Sequence, residues 1–162
     1  MKNTIGKKFV MLAVLACLVI LTSMVYSHCQ IPCGIYDDPQ RFDMMAENIT
    51  TIEKSMNQIT DLSKESKPNM NQIVRWVQNK EEHADEICHI VTFYFMSQRI
   101  KPVDRSDGKA YAEYVQKLTL LHEMLVYSMK AKQTTDLSNV EKLKALLKEF
   151  ETAYFGEAGH KH

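Results

Sequence analysis

The spacing of apolar residues after Phe42 constrains this chain more than any other feature. Phe42, Met45, Ile49, Ile52, Met56 and Ile59 follow one another at intervals of 3, 4, 3, 4 and 3 residues. An α-helix turns once in about 3.6 residues, so these side chains form one stripe that another element must cover. The same interval returns further on. Ile73, Val77, Ala84, Ile87, Val91 and Phe95 share a face of a segment running from about Asn69 to Ile100, where Lys101-Pro102 stops it. Tyr111, Val115, Leu118, Leu125 and Met129 do so between about Asp107 and Lys132. Val140, Leu143, Leu147, Phe150 and Tyr154 form a fourth stripe, opened by Ser138-Asn139-Val140-Glu141, an S-x-x-E capping box.

Punctuation supports the same division. Asp38-Pro39 is a suitable start for the first helix, and Ser66–Asn69 separates it from the second. Only 5 Gly and 4 Pro occur in 162 residues, and no strand-like alternation competes with the helical pattern. The spacing therefore predicts an all-α fold, an antiparallel four-helix bundle over residues 40–157 with a polar tail over 158–162. The formal net charge is +0, with no basic patch, so a nucleic-acid partner is not expected.

The residues before the bundle read as a leader. Lys2, Lys7 and Lys8 precede an apolar stretch from Phe9 to Leu21, and Thr22–Ser27 follows as TSMVYS. Val25 and Ser27 stand at positions −3 and −1 of a cut before His28, residue types that signal peptidases accept. Residues 1–27 are thus expected to be a signal peptide that is removed, giving an exported protein, periplasmic or secreted. The apolar run falls short of the roughly 20 residues a spanning helix needs, so contact with a membrane is expected only through the leader before cleavage. An uncleaved anchor and a lipid on Cys17 are the alternatives. Cleavage removes three of 20 basic residues and no acid, leaving a mature chain about three charges negative. It also leaves three cysteines, Cys29, Cys33 and Cys88, an odd number that argues against a simple disulfide framework.

Chemistry concentrates between leader and bundle, in residues 28–39. His28-Cys29-x-x-Pro32-Cys33 brings two thiols and an imidazole within six residues, all good donors for late transition metals. The cut makes His28 the first residue, and a free α-amine with a pKa near 7.7–8.0 can itself coordinate at neutral pH. Nitrogen donors in a plane favour Ni(II) or Cu(II) over tetrahedral zinc. A small-loop disulfide and a generic copper or zinc site remain open on the residues alone.

The nine residues His28–Tyr36, HCQIPCGIY, closely resemble the hook of nickel superoxide dismutases, His-Cys-x-x-Pro-Cys-Gly-x-Tyr. The resemblance implies an N-terminal metal-binding hook ahead of the helical bundle, holding one nickel per subunit that cycles between Ni(2+) and Ni(3+). It implies the amine and imidazole of His28, the amide and sulfur of Cys29 and the sulfur of Cys33 as ligands. Pro32 would turn the chain through a cis peptide, Gly34 would lead out of the hook, and Tyr36 would line the approach to the metal. Disproportionation of superoxide to dioxygen and hydrogen peroxide would follow, in a homohexamer. Lys80–Ile87, KEEHADEI, resembles the family's second helix. Gln30 departs from the acidic residue that many members carry. For the glutamate and arginine that orient the histidine ring in the family, Glu47 and either Arg75 or Arg99 are the candidates. The other class of reading is a non-catalytic metal-binding or membrane-tethered helical module.

The remaining candidates have plainer readings. His83, His89 and His122 fall on helices as partly exposed or locally satisfied side chains, and Cys88 as a buried thiol. His160 and His162 form a tail able to bind metal weakly.

Overall fold

The computed structural model describes residues 38–156. The leader, the hook residues up to Asp37 and the tail of residues 158–162 lie outside them. Four helices appear: α1, Asp38–Ser63; α2, Met70–His89; α3, Gly108–Gln133; and α4, Ser138–Phe155. Between α2 and α3, residues Ile90–Arg99 continue α2 as a π-helix. Consecutive helices pack against one another and α1 closes against α4. With connections this short, that arrangement is the up-down-up-down bundle the spacing predicts.

The stripe of α1 is wholly covered: Phe42, Met45, Ile49, Ile52, Met56 and Ile59 are all buried. All but Ile59 share one core with Ala84, Ile87, Val91 and Phe95 from the second arm and Val140, Leu143, Leu147 and Phe150 from α4. Phe42, Phe95 and Phe150 form an aromatic cluster with ring centroids 4.9–5.3 Å apart, and Tyr154 packs against all three. Removing one such ring leaves a void worth about 3–5 kcal/mol.

The structure corrects several expectations. The second segment is not one α-helix to Ile100, because its last ten residues wind more widely as the π-helix. Ile73 is only half-buried and Val77 is exposed. The reason is the reach of α3. Its last turn ends beside Lys80, so residues 70–79 lie beyond that end and α3 cannot cover them. In α3 the buried residues are Leu120, Leu121, Met124, Ser128 and Ala131, while Val115 and Met129 are exposed. That helix is apolar on two sides, and the expected stripe lies at the margin: Leu118 and Leu125 pack against the core while Val115 and Met129 face outward. The capping box at Ser138 does not form. Instead the Asp136 carboxylate accepts the Ser138 N–H at 2.9 Å, and Glu141 pairs with Lys144 at 3.0 Å. An ionised carboxylate two residues earlier is the stronger acceptor for a helix start, which leaves Ser138 inside the first turn. Elsewhere the caps are ordinary: Asn69 accepts from Gln72 N–H, and Asp107 from Ala110 N–H.

Lys80 joins two helices. Its side chain is buried, and the ammonium donates to the main-chain carbonyls of Ala131 at 2.6 Å, Thr134 at 3.3 Å and Lys132. These are the orphan acceptors at the C-terminal end of α3, where the helix dipole also favours a cation. Burial holds the Lys80 pKa below the usual lysine range, partly offset by Glu81.

Candidate functional site

The first residue of α1 is also the nearest described residue to the hook, two positions after Tyr36. Asp38 gathers side chains from two other elements. The Tyr94 hydroxyl donates to Oδ1 at 2.5 Å, and Arg99 Nε lies 2.7 Å from the same oxygen. The Tyr154 hydroxyl donates to Oδ2 at 2.8 Å. Arg99 Nη2 in turn donates to the Tyr94 hydroxyl at 2.8 Å. The guanidinium groups of Arg41 and Arg99 lie over the Tyr94 ring, 4.8 and 4.9 Å from its centroid. Beneath this polar group lies the Phe42, Phe95 and Phe150 contact.

The π-helix explains why Tyr94 and Arg99 can act together. On an α-helix, residues five apart point about 140° away from each other. In the wider i→i+5 turn they lie on one face, and both reach Asp38. Burial, then the contact with Asp38, pushes the Tyr94 and Tyr154 phenols above the usual tyrosine range. Both hydroxyls therefore remain donors through neutral and mildly alkaline pH.

His28, Cys29, Cys33 and Tyr36, with Gln30, Pro32 and Gly34, lie outside the described residues. Of the candidates for holding the His28 ring, Glu47 and Arg75 are exposed. Arg99 is engaged by Asp38 and Tyr94. His83 Nδ1 sits 2.5 Å from Asn48 Oδ1, His89 stacks on Phe93 with centroids 4.6 Å apart, and His122 is exposed. Cys88 is a free, half-buried thiol whose pKa burial raises, making it a poor thiolate. Among the described residues, no three His, Cys, Asp or Glu side chains come together in a way that could hold a metal.

The sequence reading did not single out Asp38, Tyr94 and Tyr154 as a group. Nothing in the helical interval signals a π turn, and without one Tyr94 and Arg99 do not share a face.

A family model described as nickel-containing superoxide dismutase matches residues 23–158, a span that includes the hook sequence and all four helices. The chain belongs to that family. No curated protein and no solved structure matches it significantly. As a nickel superoxide dismutase it disproportionates superoxide to dioxygen and hydrogen peroxide and uses nickel as its cofactor. The donor chemistry of the chain fits that metal: two thiols, an imidazole and nearby main-chain nitrogens suit nickel better than the oxygen-rich set a hard cation needs.

Proposed function

We propose that residues 28–36 are the nickel hook of this dismutase, and that it becomes competent when the chain is cut before His28. The observation that carries the proposal is the sequence HCQIPCGIY, which follows a basic and then apolar stretch and comes just before the first helix. The amine and imidazole of His28, the amide nitrogen and sulfur of Cys29 and the sulfur of Cys33 would hold the metal. Nickel, when bound, supplies a one-electron couple that lies between the two superoxide half-reactions.

The chain's own residues then have separate tasks. Thiolates at Cys29 and Cys33 would give electron density to bound nickel. Tyr36 would narrow the approach and help order the water that brings protons to the reduced product. The α-amine of His28 serves as a donor only when it is free and deprotonated, so any residue ahead of it removes a ligand. This ties activity to processing and supports an exported enzyme, periplasmic or secreted.

We also propose that it works as a homohexamer. Met70, Val74 and Val77 stand at helical spacing on the uncovered half of α2 and are 63%, 51% and 37% exposed. Such a stripe is what a contact between copies would cover.

The test compares a nickel-loaded protein beginning at His28 with one carrying a single extra alanine before it. Rapid superoxide decay by the first alone is expected, with loss of the thiolate-to-nickel absorption in the second. If both dismutate equally, the amine is not a ligand and the hook assignment fails.

A further inference from the structure

We propose that a cleft at one end of the bundle is a binding site for a small phosphate-class dianion. The inference stands on the described residues alone and does not depend on the hook.

The cleft has a volume of about 200 Å³ and lies between residues 99–103, the first half of α3 and Tyr154 of α4. Arg99, Lys101 and Lys117 line it, with Glu113 as its one acid. The charge of Arg99 is already met by Asp38 at 2.7 Å. Lys101 and Lys117 have no such answer: among the described residues, neither ammonium enters an ion pair or a hydrogen bond. Lys117 is also half-buried, and an ammonium drawn out of water without a counter-charge is unfavourable. Tyr114 brings a phenol to the same wall, and its hydroxyl has no hydrogen-bond partner among the described residues.

Two unanswered ammoniums and a phenol, set against one carboxylate, call for an anion with more than one negative charge. Phosphate has that charge and strong acceptor oxygens on several sides. Size points the same way, because pockets for larger organic ligands enclose about 300–1,000 Å³. The walls are also built in advance. Asp38 and Tyr94 hold Arg99, and the buried Ile100 donates its N–H to Phe95 at 2.9 Å. In the following loop the Asp104 carboxylate accepts from the N–H and hydroxyl of Ser106, and Asp107 caps α3. These two acids are thus turned to their own neighbours, and neither lines the cleft. A site that need not reorder itself loses less on binding. The larger cleft between α1 and α4, about 410 Å³, lacks this character, because its Lys144 is paired with Glu53 and Glu141 at 3.0 Å.

The test titrates inorganic phosphate into the full-length protein at an ionic strength fixed with chloride, followed by the amide chemical shifts. Saturable changes are expected at Lys101, Val103, Ala110 and Lys117. Lys117→Met, which keeps the stem, should weaken phosphate at least about tenfold, the scale of one charged hydrogen bond. Glu113→Gln should tighten it, the opposite sign, and Lys144→Met should leave it unchanged. Glycerol phosphate separates two sources of the same chemistry. Weaker binding than inorganic phosphate assigns the cleft to the free anion, and equal binding assigns it to the head of a phosphomonoester. The proposal is overturned if phosphate moves these amides no more than chloride does, or if Lys117→Met binds it as tightly as Lys144→Met.

Discussion

A buried ammonium must find acceptors, and Lys80 finds three at the end of another helix. Its stem crosses the core while its head closes the last turn of α3. Replacing Lys80 by Met keeps the stem and removes the donor, leaving buried carbonyls unanswered. We expect a loss of about 2–3 kcal/mol, read by urea unfolding. The sequence held a clue to this residue. Between Val77 and Ala84 the 3-4 interval has one place to fill, and Lys80 fills it. A lysine in an apolar stripe needs acceptors, but the sequence alone cannot say that a helix end supplies them. Tyr154 gives a prediction with a pH sign. Its folded pKa is raised above the ordinary 10.0, so its contribution is full below pH 10 and is lost as pH climbs toward the folded value. Tyr154→Phe should therefore unfold less steeply with pH above 10 than the parent, followed by helical circular dichroism.

At the scale of the element, the helices were legible and their facing only partly so. In α1 and α4 a single apolar stripe opposes a polar side, and the interval names the core directly. In α3 two apolar sides compete, and only the neighbours decide that Leu121 and Met124 go inward while Met129 stays out. Caps divide in the same way. Asp107 caps α3 through its own side chain, whereas Ser138 makes no such contact. Asp107→Ala should lose about 1 kcal/mol, and Ser138→Ala should stay within about 0.5 kcal/mol of the parent. Equal losses in thermal unfolding would mean that Ser138 caps α4 after all. The π-helix left no mark on the apolar interval, because its consequence is a contact made with a residue far away in sequence.

For the whole molecule, the family was legible in nine residues, because their resemblance is carried by neighbours in the chain. The Asp38 network was not, because it needs the first, second and fourth arms of the fold at once. The uncovered half of α2 bears on assembly. Val74→Glu places a charge in the exposed stripe without touching the core, so helix content should persist while light scattering reports a smaller particle. An unchanged mass would remove this surface from the proposed hexamer. The Asp38 network also has a consequence in time. Tyr154 is synthesised 116 residues after its partner, and at about 5–20 residues per second the carboxylate waits on the order of 10 s for it. The end of the bundle where α1 begins and α4 finishes is therefore fastened last, only when the chain is nearly complete.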